Sequence, residues 1–333
     1  MFLPEIGKNQ LKGHGSKSAK IAIVGDYANG FDMKARRPFS GPAGSVLEVC
    51  LHQAGLIRAE VYTTNLIKEQ VGKKEAYFNE RKTKFTEKAY PYLDQLKEEL
   101  EECDANIIVA AGKMAFAALC SLGHLTQYRG YIFESTLLPG RKVIPTQSPG
   151  DAIRGMYVYR YIISSDLKKA KDESKFPEIR RPDRRLIYQY DSLGDALDVL
   201  KFYETEPQVG FDIEVLHYEV SCISFASTEE LSCVIPFGDP WTIQEEVQLW
   251  RGVQRVLGNP DSVKIVQNGM FDIPFLLIQN GVVTRGPIHD TMLGHHIVYP
   301  ELPKGLGFLG SIYCGSQEYW KDTVKFKSIK DND

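Results

Sequence analysis

The chain is 333 residues long, with 43% hydrophobic and 25% charged residues and a formal net charge of −3. That length exceeds one ordinary core and suits two domains, and the composition is that of a globular protein. No apolar run approaches the ~20 residues of a bilayer span, and Met1 to Lys20 has no apolar signal-peptide segment, so a cytoplasmic protein with no membrane partner is expected. Cys50, Cys103, Cys120, Cys222, Cys233 and Cys314 are scattered with no CxxC pair, which fits reduced thiols better than a disulfide frame or a zinc site. The net charge does not advertise nucleic-acid binding. It does not exclude it either, because a local basic surface suffices and an acidic metal site offsets it.

Residues 1–19 read as an N-terminal extension. The first apolar strand, Lys20 to Gly25, runs into a glycine-bearing loop and a helical stretch from Gly44 to Ala54. Strands are expected at 61–65, 107–111 and 142–145, and helices at 90–103, 113–122 and 152–170. Short apolar strands alternating with amphipathic helices predict an α/β/α domain with a parallel sheet covered on both faces over 20–170. Residues 171–185 (KDESKFPEIRRPDRR) hold two prolines and dense charge without periodicity, and read as a linker. The second half, 186–333, opens with a strand at 186–190 and a helix at 192–204. Strands at 209–215, 220–225 and 233–236 read as a meander, followed by a helix at 243–257, a strand at 262–266 and a helix at 271–280. That order predicts an α/β domain of the RNase H-like kind.

Two motifs in the second half carry chemistry. In Gly210-Phe-Asp212-Ile-Glu214 the apolar flanks predict a buried strand, and residues two apart share a face. Two carboxylates side by side repel each other unless a cation lies between them, and a hard divalent metal is the natural one. The alternative is a strand end where both acids reach water. In Val266-Gln-Asn268-Gly-Met-Phe-Asp272, an amide and a carboxylate four apart share a face if a helix begins there. Taken singly, Asn268 also fits a helix cap and Asp272 a first-turn acid that complements the helix dipole.

With both motifs in this order, residues 186–333 resemble the proofreading 3′→5′ exonuclease domain of phage-type family A DNA polymerases. Asp212 and Glu214 match its first motif, and Asn268 with Asp272 its second. His289-Asp-Thr-Met-Leu293, Leu302-Pro-Lys-Gly-Leu306 and Tyr319-Trp-Lys-Asp322 resemble the segment that follows. The resemblance implies a Mg2+ or Mn2+ site with two cations roughly 4 Å apart. Asp212 would bridge both, Glu214 would hold the one nearer the attacking water, Asp272 the other, and Asn268 would contact substrate. Asp290 reads as structural, and the adjacent His295 and His296 as ordinary helix residues, since neighbours diverge by about 100°. The family's third motif, Tyr-x-x-x-Asp, has no match, and Asp331 or Asp333 would be poor substitutes as terminal residues. The expectation is therefore a domain incomplete at its C-terminus, from a longer protein with a polymerase domain, whose partner is DNA, chiefly single-stranded 3′ ends.

Residues 20–170 resemble the uracil-DNA glycosylase superfamily, in its thermophile-type family-four branch. The match runs through Val24 to Gly30, Arg37-Pro-Phe-Ser-Gly41-Pro-Ala-Gly44, Tyr62 to Asn65, Ile107 to Gly112, Arg129-Gly130 and Val143 to Pro149. It implies that Phe39 stacks on an extruded base, that Asn65 reads the Watson–Crick edge, and that Asp26 lies near the attacking water. Gly44 would open a helix whose terminus can meet a phosphate. Two departures stand out. Glu69 occupies a cluster-cysteine position and residues 1–20 hold no cysteine, so no iron–sulfur cluster is expected. The family's His-Pro motif appears as Ser148-Pro149-Gly150, and losing such a donor typically costs about 10²–10³ in rate. Three readings stay open: an exonuclease module, an active uracil-DNA glycosylase, and a non-catalytic DNA-binding scaffold.

Overall fold

The computed structural model describes residues 10–79, 83–180, 186–190 and 192–314. Asp331, Asp333, the Tyr319–Asp322 segment and residues 181–185 of the predicted linker lie outside the described residues. The chain divides into two compact units, one of residues 1–182 with 307–333 and one of residues 183–306.

In chain order the first unit contains β1 (Ile21–Ala28), α1 (Gly30–Ala35), α2 (Gly41–Gln53), β2 (Val61–Gln70), β3 (Phe78–Asn79), β4 (Lys84–Phe85) and α3 (Tyr90–Glu101). These are followed by β5 (Ile107–Ala111), α4 (Lys113–Cys120), α5 (Leu125–Tyr128), β6 (Phe133–Glu134), β7 (Lys142–Thr146), α6 (Pro149–Ile153) and α7 (Tyr159–Glu173). Its main sheet has the order β2-β1-β5-β7-β6, parallel except for the edge strand β6. Every residue of β5 and β7 is buried, because separate apolar clusters cover the two faces of the sheet, one around Phe116 and Leu96 and the other around Leu47 and Ile163. The helix expected at 152–170 is two helices. The chain breaks at Gly155, whose φ of +95° is left-handed, and α7 then runs on to Glu173, into the stretch that reads as linker.

The second unit contains β8 (Leu186–Gln189), α8 (Leu193–Glu204), β9 (Gln208–Leu216), β10 (Glu219–Ala226), β11 (Leu231–Pro236), α9 (Ile243–Gly258), β12 (Val263–Val266), α10 (Gly269–Asn280), β13 (Ile288–Asp290) and α11 (Thr291–Val298). The sheet order is β13-β12-β9-β10-β11-β8. Strands β9, β10 and β11 form the antiparallel meander, and the other three pair in parallel at its edges. On β9 the residues Val209, Phe211 and Ile213 enter the core, so Asp212 and Glu214 point the other way, by the two-residue alternation of a strand. This departs from the expectation of a buried strand and matches the alternative in which both acids reach water. One face is buried and the acids reach water.

A last helix, α12 (Leu306–Tyr313), belongs to the first unit from Gly307 onward. Arg129 lies under the ring of Phe308 at 4.9 Å, and Tyr131 donates to the Gly307 carbonyl at 2.6 Å. Lys169 donates to the carbonyls of Ser311 (2.7 Å) and Cys314 (3.0 Å), a cation on the negative end of the helix. Arg129 in turn forms a buried ion pair with Asp166 at 2.5 Å, and Thr146 donates to the same carboxylate at 2.7 Å.

Candidate functional site

The acidic site of the second unit is built where β9 meets the start of α10. Asp272 is buried in the first turn of α10, and its Oδ1 accepts the Ile213 amide at 3.3 Å. Ile213 is the residue between Asp212 and Glu214, so this bond ties the second motif to the strand that carries the first. The three carboxylates feel one another. Asp212 is pushed up to about 6 by desolvation first, then by the charges of Asp272 and Glu214. Asp272 is also raised, by burial and then by the neighbouring charges of Asp290 and Glu214, against the stabilising pull of backbone amides. Among the described residues no ion pair to these acids is formed, so their repulsion is uncompensated by protein. Neither do three or more His, Cys, Asp or Glu side chains among the described residues come together as a ready ligand set.

Asn268 precedes α10 with φ of 64°, its side chain exposed and making no capping bond, so the plain helix-cap reading does not describe it. Two other amides of this junction are served from β13. Asp290 accepts from the amides of Asn268 (3.2 Å) and Gly269 (2.9 Å), and caps α11 through Met292 (2.8 Å) and Leu293 (3.2 Å). Asp290 is thus the residue that fixes the junction of β12 and α10, and both its oxygens are committed to backbone. His295 and His296 lie next to each other on α11.

The first unit holds a cavity of about 780 Å³ at the C-terminal ends of its parallel strands. Asp26, Phe39, Asn65 and Ser148 all line it, four residues spread over more than 120 positions of sequence. The backbone at Gly25 makes room for two of them. A Cβ there would overlap Asn65 Oδ1 and meet Phe39 Cζ at 2.8 Å. Asn65 is buried, and its Nδ2 has no hydrogen-bond partner among the described residues, a donor left for a ligand. Phe39 takes a left-handed φ of 51°, a conformation held by the capping box of α1. Asp32 of that box accepts the Ser40 amide at 2.6 Å and so anchors the loop that carries the ring. The first turn of α2 begins at Gly41, and Gly44 lies inside it rather than opening it, with the Phe39 carbonyl against its Cα.

Asp26 accepts the Ala115 amide at 2.9 Å from the start of α4, yet burial pushes its carboxyl up to about 7, with the charge of Asp151 adding to the rise. Gly112, at φ of +134°, is where that carboxylate packs, and a Cβ there would overlap Asp26 Oδ1. Ser148 Oγ accepts the Gly150 amide as the cap of α6, so its oxygen is engaged with backbone. Several partners had no sequence signal. Arg58, from a 3₁₀ turn at Arg58–Glu60, lies over the Phe39 ring at 5.8 Å and donates to the Pro38 carbonyl at 2.6 Å. Gln147 and the ion-paired Asp151 and Arg154 also line the cavity. Glu69, at the cluster-cysteine position, accepts a hydrogen bond from Tyr77. A carboxylate held by a phenol is not the thiolate that iron–sulfur ligation uses.

Residues 12–161 match the family model of the uracil DNA glycosylase superfamily. A type-4 uracil-DNA glycosylase of Thermotoga maritima is 30% identical over 166 residues, 49% of this chain and 82% of that protein. The chain belongs to the uracil-DNA glycosylase superfamily. To this glycosylase-superfamily domain it joins a second one, since residues 186–332 match the 3′-5′ exonuclease family. A DNA polymerase of Bacillus phage SP01 is 24% identical over 335 residues, 89% of this chain, and the chain spans about a third of that polymerase's length (34%). Over most of its length the chain is thus similar to a phage DNA polymerase, with the glycosylase-superfamily domain ahead of a region that matches the 3′-5′ exonuclease family. Among solved structures, Escherichia coli RNase D resembles it with 14% identity and a TM-score of 0.31, covering 42% of this chain and 36% of that one. A likeness that distant carries no further weight.

Proposed function

We propose that the second unit removes nucleotides from the 3′ end of single-stranded DNA by metal-dependent hydrolysis, as the proofreading module of a phage-type DNA polymerase. The observation that carries this is the Asp272–Ile213 bond, which ties the third acid to the strand at the residue between Asp212 and Glu214. Asp212 and Asp272, both raised with Glu214's charge adding to the rise and with no protein cation paired to them among the described residues, suit a divalent metal, Mg2+ or Mn2+, which would have to draw the acids together on binding. Asp212, Glu214 and Asp272 would hold it. A divalent ion held there would supply Lewis-acid activation of the attacking water and charge neutralisation at the scissile phosphate. Asn268, exposed beside the acids, offers one donor and one acceptor to the terminal nucleotide. The test is digestion of 5′-labelled single-stranded DNA. Magnesium or manganese should produce a 3′ ladder that EDTA abolishes, and Asp212→Ala or Asp272→Ala should abolish it too. A ladder unchanged in both variants would refute the assignment.

A second reading belongs to the first unit. The unpartnered Asn65 Nδ2, the Phe39 ring and Asp26 face one cavity, which supports binding of an extruded base. With Ser148 committed to capping α6, no cationic donor stands at that position, so the domain should bind a uracil-containing strand and excise the base slowly or not at all. Alkali-sensitive scission at uracil in EDTA, at a rate matching the thermophile enzymes, would overturn the binding-only reading.

A further inference from the structure

At the end of the first sheet one buried side chain has no bond to account for it. Asn65 on β2, Gly25 on β1, Ala111 on β5 and Thr146 on β7 lie side by side in register. One residue further along, the row continues as Asp26, Gly112 and Gln147. Gly112 has no side chain, and the Asp26 carboxyl fills the place where its Cβ would stand. Gln147 follows on the next strand over. By strand alternation it leaves the sheet on the face of Val143, which is also the face of Val24 and so of Asp26. Both residues line the cavity of about 780 Å³. Gln147 is 5% exposed, and among the described residues its amide makes no hydrogen bond, to Asp26 or to any other group. An amide buried without a partner is costly, so a bound molecule is what completes it. Neighbouring strands are about 4.8 Å apart. Two hydrogen bonds of about 2.8 Å that meet at one oxygen span about 4.6 Å. The space between carboxyl and amide thus suits a single hydroxyl, which donates to the carboxylate and accepts from the amide.

We propose that Gln147, with Asp26, forms a subsite for the hydroxyl on C1′ of an abasic deoxyribose in a DNA strand. This rests on the reading of the cavity as a pocket for an extruded nucleotide, and adds to it a ligand that has already lost its base. A nucleotide inside a DNA strand has its 3′ and 5′ oxygens esterified and offers no free hydroxyl. One appears at C1′ once the base is gone and the sugar closes as a hemiacetal. C1′ is also the atom that carries the base. A sugar whose base would lie against Phe39 and Asn65 therefore brings C1′ to the row of residues that begins at Asn65 and passes Asp26 and Gln147. Ser148, next in sequence, is engaged with the Gly150 amide, which leaves Gln147 as the uncommitted polar group at the end of β7. RNA offers a different sugar hydroxyl, at C2′, one carbon further from the base.

The experiment is equilibrium binding of the full chain, in EDTA at neutral pH, to 5′-fluorescein-labelled single-stranded DNA, with thermal unfolding of each variant. The strands differ at one central position. It holds an abasic deoxyribose, a tetrahydrofuran analogue with hydrogen at C1′, the same analogue with a hydroxyl at C2′, or a uracil nucleotide fluorinated at C2′ against excision. The parent should bind the abasic strand about 3- to 10-fold tighter than the tetrahydrofuran strand, the worth of one neutral hydrogen bond. Gln147→Met keeps the length of the side chain and removes its amide. It should abolish that preference while binding the tetrahydrofuran strand as the parent does. A parent that binds the abasic and tetrahydrofuran strands alike overturns the proposal, whether or not the variant folds. So does a preference for the C2′ hydroxyl instead, a Gln147→Met protein that keeps the parent's preference, or one that melts lower and loses affinity for both strands equally. A preference for uracil over tetrahydrofuran that Asn65→Ala removes, without a preference for the abasic strand, leaves the base-binding reading standing and the subsite refuted. The reverse pattern, abasic preferred and uracil not, leaves the subsite standing and the base-binding reading refuted.

Discussion

Neutralising Asp212 should stabilise the metal-free protein, which is the reverse of what removing a hydrogen-bonded acid does. The folded-state carboxyl is raised from 3.8 to about 6 by desolvation and by Asp272 and Glu214. A group that holds its proton more tightly when folded favours the fold at low pH. That contribution is lost as pH rises from 3.8, and above about 6 the full penalty of the charge remains. A rise of that size corresponds to about 3 kcal/mol as a ceiling. Asp212 is exposed, so solvent and salt screen most of this, and about 1 kcal/mol is the figure to expect. Asp212→Asn keeps the shape and removes the charge. In EDTA at pH 7 it should melt a few degrees above the parent, since about 1 kcal/mol moves the midpoint of a small domain by about 4–8 °C. Near pH 4 the gain should nearly vanish. Manganese should reverse the order, because binding to the folded state stabilises the parent and the variant has lost a ligand. A lower melting temperature for Asp212→Asn in EDTA at pH 7, or an equal gain at pH 4, would refute the repulsion argument.

Other consequences follow in the first unit. Ser148→His should raise uracil excision by about 10²–10³, measured as alkali-sensitive scission in EDTA, if the missing donor is what limits the domain. Gly25→Ala drives a methyl group into Asn65 and Phe39, and should cost about 1–3 kcal/mol in denaturant unfolding while closing the cavity to a base. The Asp26 carboxyl, raised to about 7, makes the parent lose stability as pH climbs from 3.8 through 7; Asp26→Asn should flatten that part of the melting-temperature profile. Arg129→Met should destabilise by about 3–5 kcal/mol, because it leaves Asp166 charged and buried without its partner, and denaturant unfolding measures it.

The fold was legible where strand and helix periods were strong. The strand 107–111 and the helix 243–257 fall within a residue of their observed ends, since β5 is apolar throughout and α9 carries a capping box at Thr242. The break at Gly155 was hidden because the helical pattern resumes after it. The acidic motifs were legible because two-residue alternation alone places Asp212 and Glu214 together. Their exposure was not, since the apolar flanking residues look the same whether a strand is covered on one face or two. Arg58 had no signal at all. Its position over Phe39 follows from where a short 3₁₀ turn falls in space.

Helix α12 has a consequence for how the protein is made. Its residues leave the ribosome after the entire second unit, yet they supply the ring over Arg129 and the carbonyls that Lys169 donates to, a lysine whose amine burial holds down at about 8. During synthesis the first unit can close its sheet early, but some 130 further residues pass before α12 adds its ring to Arg129 and its two carbonyls to the Gly130 carbonyl that Lys169 already reaches. A front-half fragment cut near residue 182 is for the same reason frozen at that unfinished stage. It would keep every strand of the first sheet and still present a bare patch around Arg129, Tyr131 and Lys169.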